Sequence, residues 1–166
     1  MKEATLAGLA AALFAVASIV SGCSPEQEEV VDNTEVDGGA ELGAVNGTSW
    51  QLVEFQSMSD EIGTIRPDDP TLYTMSFKSD GTVSLRLNCN QANGSWSATS
   101  SSKSGGSMEF GPLAMTRAIC PPPSMDERIA RDSAFVRSYI IDGDRLYLSL
   151  MADAGIYAWE RLPDSQ

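Results

Sequence analysis

No histidine occurs anywhere in the 166 residues. That absence removes Ser–His and Cys–His nucleophile pairs, imidazole base chemistry and the commonest zinc ligand. Cysteine is scarce, with three in all, and aromatic residues make up only 7% of the chain. Bases are few, 11 against 23 acids, for a formal charge of -12. No basic patch stands out, and a chain of this sign repels a phosphate backbone, so nucleic acid is not an expected partner. Long apolar runs are missing too, with one exception at the start of the chain.

That exception runs from Leu6 to Val20 after a single Lys2 and ends in small residues at Ser21 and Gly22. It is short for a membrane span and lacks the flanking basic cluster that stops transfer, so residues 1–22 read as an export signal. The stretch "VSGC" that closes it resembles the bacterial lipobox, in which small residues precede a cysteine. The resemblance implies cleavage before Cys23 and lipid on its sulfur and new amino group. Two or more acyl chains hold a protein durably, at roughly 0.8 kcal/mol per buried methylene. Ser24 follows where aspartate would stand in lipoproteins retained at the inner membrane. The expected location is therefore the outer membrane of a two-membrane envelope, with the domain facing the periplasm.

Residues 23–46 follow as a tether. Seven acids and no base lie between Ser24 and Asn46, together with a Gly-Gly pair and no aromatic residue. Such a segment buries too little apolar area to offset the entropy of ordering it. As a flexible coil it reaches roughly 25 Å. From Gly47 to Gln166 the balance is milder, fifteen acids against ten bases. The acidic surface reads first as solubilising, with a basic protein as the alternative partner.

The texture changes at Thr48, and residues 47–166 read as one domain. "SWQLVEFQ" predicts a strand with Trp50, Leu52 and Phe55 on its buried face. Leu72–Phe77 and Val83–Leu87 predict a hairpin around Ser79-Asp80-Gly81, where glycine supplies a positive φ. A short strand is expected around Trp96, a mobile polar loop over Thr99–Ser107, and a further strand ended by Gly111-Pro112. Ser124 fits the N-cap of a helix with Glu127 three residues on, running to about Arg137. Its apolar stripe is Met125, Ile129, Ala130, Ser133, Val136 and Ile140. Two or three strands close the chain, with turns at Asp142-Gly143 and Asp153-Ala154-Gly155. The pattern predicts a mainly β (α+β) fold: a small antiparallel, strongly curved sheet or open barrel of six to eight strands with one packed helix.

With Cys23 assigned to lipid, Cys89 and Cys120 remain. In an oxidising compartment an even pair forms a disulfide. A zinc site needs four ligands, which two separated cysteines without histidine do not supply. The bridge closes a loop of about thirty residues and contributes roughly 3 to 4 kcal/mol in the chain-entropy model. Asn88, Asn90, Gln91 and Asn93 surround Cys89. They read as turn chemistry, or, with Trp96, as a hydrogen-bonding surface for a ligand. Asp142-Gly143-Asp144 and Asp68-Asp69 lack the ligand alternation of a calcium loop and read as turns. No metal and no cofactor is expected, and no catalytic set emerges. Trp50, Trp96, Trp159, Phe77 and Phe110 read as core, with an apolar groove as the alternative if the barrel is open beneath its helix.

"GTSWQLVEF", "SFKSDGTVSLRLNCNQANGSW", "LAMTRAIC" and "YIIDGDRLYLSL…IYAWER" together resemble the META domain, the HslJ-like family of bacterial envelope proteins. The family pattern falls on Trp50 and Leu52; on Cys89, Asn90 and Trp96; on Thr116 and Cys120; and on Ile141, Gly143, Leu146 and Leu148. Asn88 stands where a glycine is usual, and Trp96 where tyrosine is commoner. The resemblance implies a curved sheet with a packed helix, similar to the fold of secretin pilotins, which are lipoproteins with an apolar groove. It implies a link to envelope stress and antibiotic tolerance, and no defining enzymatic activity. The expectation is a monomeric, lipid-anchored envelope protein that binds another envelope protein or an apolar ligand. The alternative is an inhibitor of a basic hydrolase such as lysozyme or a protease.

Overall fold

The computed structural model describes residues 44–163. The export signal, Cys23 and nearly all of the expected tether lie outside the described residues.

Alternation of apolar and polar side chains builds the first strand, β1 (Ser49–Ser57), but with a change of phase. Trp50 and Leu52 are buried, and then Phe55 rather than Glu54. The register against its neighbour shifts between Leu52 and Glu54. A bulge of this kind lets one strand exchange which parity faces inward. The next strands are β2 (Thr64–Ile65), β3 (Tyr73–Phe77) and β4 (Thr82–Leu87). β3 and β4 form the expected hairpin, with Gly81 at φ 78. The Asp80 carboxylate accepts from the Thr82 amide at 2.9 Å and the Thr82 hydroxyl at 2.6 Å, which fixes the turn.

β5 (Asn90–Ser102) and β6 (Gly105–Phe110) replace the mobile loop expected over Thr99–Ser107. Their serines face solvent, so polarity there marks an outer sheet face. Gly106 permits the pairing: a Cβ on it would lie 2.0 Å from the Thr99 carbonyl oxygen. β7 (Ala114–Met115) continues along β5 beyond a break at Gly111-Pro112.

The helix α1 (Asp126–Asp132) is shorter than expected and passes into a single 3₁₀ turn at Ser133–Phe135. The Ser133 hydroxyl donates back to the Ala130 carbonyl at 2.8 Å, a bond that competes with helix continuation. Val136 and Ile140, assigned above to the helical stripe, belong instead to β8 (Val136–Asp142). Their spacing suits either period, and pairing with β9 (Arg145–Leu150) decides for the strand. Met125 occupies the cap position; Ser124 stands one residue earlier and donates to the Asp126 carboxylate at 2.7 Å.

β10 (Gly155–Arg161) pairs with β9 and also with β1, so the sheet closes on itself. Around the ring the order is β10-β9-β8-β6-β5-β4-β3-β1, antiparallel throughout, with β2 and β7 as two-residue additions. The expected mainly β fold, an antiparallel and strongly curved sheet of six to eight strands with one packed helix, is what forms; its sheet closes into a barrel rather than staying open, which leaves no free edge around most of its rim.

Side chains fill the interior. Trp50, Trp159, Tyr139, Phe55 and Phe77 are fully buried, and Met125 at the cap of α1 and Ile129 within it join the same core. Each buried side chain of this size contributes about 1.5–3 kcal/mol. A void of about 20 Å³ lies among Met75, Leu85, Ile129, Leu148 and Trp159. The core reading of the three tryptophans is therefore correct. Val45 is also fully buried, so the packed domain begins before the expected boundary at Gly47.

Candidate functional site: a polar junction and the groove beside it

The junction starts from a backbone requirement. Asn88 has φ 58, a left-handed conformation that asparagine tolerates, and it turns the chain from β4 into β5. This places Cys89 opposite Cys120, with Cα atoms 5.5 Å apart, and the two form a disulfide across a sequence separation of 31. The Cys89 amide also points at Cys120 Sγ, 3.2 Å away.

Asn90 is 1% exposed and its side chain ties three segments together. Oδ1 accepts from the Thr116 hydroxyl and the Ala118 amide, both at 2.9 Å. Nδ2 donates to the Ala118 carbonyl at 3.0 Å and to Asp126 Oδ2 at 2.8 Å. Thr116 in turn receives the Gln91 amide on its hydroxyl at 3.0 Å. The Thr116-x-x-x-Cys120 spacing thus has a physical reading. Its first residue clamps the start of β5, and four residues later the strap reaches the disulfide.

Asp126, at the start of α1, completes the network. Burial opposes its charge, but the Ser124 hydroxyl, the Asn90 amide and backbone amides outweigh that and hold its carboxyl below the usual range. At the same corner Tyr73 Oη accepts from the Met125 amide at 3.1 Å, and Asn88 Nδ2 donates to Ser124 Oγ at 3.0 Å.

The four residues expected as a ligand surface do not share a face. Asn90 and Trp96 are buried; Trp96 Nε1 donates to the Thr82 carbonyl at 3.0 Å, and its ring meets Phe77 edge-on at 4.9 Å. Asn93 Oδ1 accepts from Ser84 at 2.9 Å on the outer sheet surface, and Asn88 is held by Ser124. The junction is a set of satisfied bonds.

The acidic pairs resolve into turns. Asp69 accepts from the Thr71 amide at 2.9 Å and caps a short 3₁₀ turn, while Gly143 between Asp142 and Asp144 has φ 56 in the β8–β9 turn. Among the described residues no group of three His, Cys, Asp or Glu is close enough to hold a metal. A second buried polar pair lies under α1, where Tyr157 donates to Asp132 at 2.8 Å.

Next to the junction lies a feature that the sequence reading did not identify. A groove of about 730 Å³ runs between α1 and the segment from Phe110 to Arg117. Phe110, Leu113 and Met115 line one wall, and Ala130 and Ala134 the other. Arg117, Arg131 and Glu127 stand at its rim. A smaller hollow of about 340 Å³ adjoins it, sharing Met115, Arg117 and Glu127 and reaching down to Asn90 and Asp126. The available signal was the Gly111-Pro112 break followed by apolar residues too short in run to make a buried strand.

A closed antiparallel barrel of eight strands, stopped at one end by a single helix and stapled beside it by a disulfide, defines a class of small β-barrel domain. The chain belongs to the META domain family, whose model matches residues 43–161. No curated protein is close enough in sequence to count as a relative. Among solved structures, it is similar to a protein from Burkholderia xenovorans determined by NMR, with TM-score 0.59 and 19% identity over 86% of this chain and 99% of that one. It is also similar to a DUF4847 family protein from Bacteroides vulgatus, with TM-score 0.51 and 14% identity over 70% of this chain and 94% of the other. At these identities the likeness speaks for the fold. None of these matches carries a named activity.

Proposed function

We propose that the protein is a lipid-anchored, non-enzymatic binding module of the bacterial cell envelope. Residues 1–22 direct export, Cys23 carries the lipid, and the domain faces the periplasm from the outer membrane. The groove beside α1 receives an apolar ligand or a segment of an envelope protein, and this binding supports tolerance of envelope stress.

The observation that carries the reading is a contrast in space. The void among the core side chains Met75, Leu85, Leu148 and Trp159 is about 20 Å³, whereas the external groove holds about 730 Å³ between apolar walls. Ligand sites are concave, mostly apolar and rimmed by a few polar groups, and the groove has that form. The test uses the full chain. Cys23→Ala should release it from membranes, and Ala134→Trp, which fills the groove, should strip its partners from a pull-down of solubilised envelopes. A strain lacking the protein should become sensitive to heat and membrane-active drugs. Unchanged partners with the groove filled, or a deletion strain that matches its parent, would refute the reading.

A second reading rests on Ile119, which is 99% exposed between Ala118, bonded to Asn90, and Cys120, joined to Cys89. A preorganised loop with an apolar tip suits insertion into the cleft of a basic hydrolase. Charge attraction to an acidic chain would then strengthen binding at low salt. Assays of lysozyme and a protease at low and moderate salt test it, with Ile119→Glu as the control; absence of inhibition at low salt removes it.

A further inference from the structure

The barrel wall is incompletely paired along one line. On one side β6 pairs with β5 as far as Phe110, and β7 continues along β5 at Ala92 and Asn93. On the other side β8 meets β6 only from Gly105 to Ser107. Over residues 108–110, and again over Ala114–Met115 beyond the Gly111-Pro112 break, the outer edge pairs with no strand among the described residues. Helix α1 stands across the groove from it. A strand edge carries backbone N–H and C=O groups that require partners. An edge on one wall and a helix on the other is the arrangement that admits an added strand.

We propose that this groove binds an extended peptide segment of a partner protein, carrying a carboxylate opposite Arg117, by strand addition along the two edge stretches 108–110 and 114–115. The proposal rests on the binding role given to the groove above and specifies its occupant. The peptide's backbone pairs with the edge. Side chains of one parity lie against Leu113 and Met115, which favours an apolar residue at every second position. The preference for acid comes from the rim. Arg117 makes no ion pair among the described residues, and Arg131 engages Asp132 through Nε alone, leaving its terminal nitrogens to the groove. Glu127 and Asp132 balance the two arginines, so the rim is neutral on a chain of formal charge -12, and Arg117 is its cation without an ion pair among the described residues. That unpaired guanidinium favours a carboxylate at the facing position of the peptide and disfavours lysine there. An anionic acyl chain satisfies the same arginines and floor but leaves the edge unpaired, so backbone chemistry separates the two.

The probe is a fluorescent peptide of about nine residues, alternating valine with glutamate or threonine, titrated onto the full chain in lipid nanodiscs. It should bind. N-methylation of the amides that face the edge should weaken it about tenfold, while methylation of the opposite set leaves it within about threefold. Arg117→Glu should weaken the glutamate peptide about fivefold and favour a lysine counterpart. Ala134→Trp, at an exposed position, should abolish binding of both peptides. Strand addition is overturned if the two methylated sets bind alike, or if no peptide binds. If decanoate then occupies the groove and Ala134→Trp blocks it, the groove's binding role survives this failure. If neither probe binds and the filled groove leaves envelope partners unchanged, that role falls as well.

Discussion

The junction at Asn90 and the groove beside α1 lie side by side and share Met115 and Arg117 at their border. They differ in what is left over. At the junction, both ends of the Asn90 amide and the Asp126 carboxylate have partners. In the groove, apolar side chains stay half-exposed and a strand edge has no partner strand among the described residues. The residues that a motif makes conspicuous are therefore the scaffold, and the less conspicuous ones beside them form the surface with capacity to bind. Substitutions can separate the two regions, because scaffold changes should cost stability and groove changes should cost binding.

The largest effect should come from the staple. Cys89→Ser with Cys120→Ser releases a constraint across a separation of 31 residues, and about 3 kcal/mol should be lost in a urea titration. Asn90→Ala comes next, because it strands the Asp126 carboxylate and Ala118 backbone groups; about 2 kcal/mol is expected by the same measurement. If either change is neutral, the junction is no scaffold and the contrast fails.

Tyr157→Phe probes the pair under α1 and should cost about 1 to 2 kcal/mol at neutral pH, since it leaves the Asp132 carboxylate short of a donor. It also carries an alkaline signature. Burial, followed by the bond to Asp132 and its charge, pushes the Tyr157 hydroxyl well above its ordinary pKa of 10.0. The unfolded chain then loses this proton before the folded one. That stabilisation is complete below pH 10 and fades as pH climbs beyond it. Stability of the wild-type chain should fall more steeply above pH 10 than that of Tyr157→Phe. Equal slopes would place this hydroxyl in solvent.

Asp126 gives a smaller, acidic counterpart. Its carboxyl is held below the ordinary 3.8, so its contribution is present above that value and is lost as pH falls through the folded pKa. Asp126→Asn should flatten the acid limb of the stability profile. An unchanged limb would mean that Asn90 and Ser124 do not stabilise the charge.

Part of this molecule was legible in its sequence for local reasons. Asp80-Gly81 and Asp142-Gly143 announce hairpins because a positive φ next to a short acid fits few other structures. Cys89 and Cys120 announced their pairing because a chain without histidine left them little else. The failures are non-local. Thr99–Ser107 looked like a loop because its outer face is polar, and only contact with β5 shows why Gly106 is there. Val136 and Ile140 satisfied a helical stripe as well as a strand, and closure of the ring decided between them. The groove was the least legible feature, since it depends on a pairing that the ring does not make.

That dependence sets the smallest stability effect and the sharpest form of the comparison. Arg117 and Ala134 are exposed and form none of the junction's bonds, so Arg117→Glu and Ala134→Trp should shift stability by no more than about 0.5 kcal/mol. Hydrogen exchange should leave the junction amides, Cys89 and Ala118 among them, as protected as in the parent chain, while peptide binding at the groove is lost. If instead a groove substitution loosens those amides, then Met115 and Arg117 couple the two regions. The polar junction would then be part of the binding surface, and the division drawn between scaffold and site would not hold.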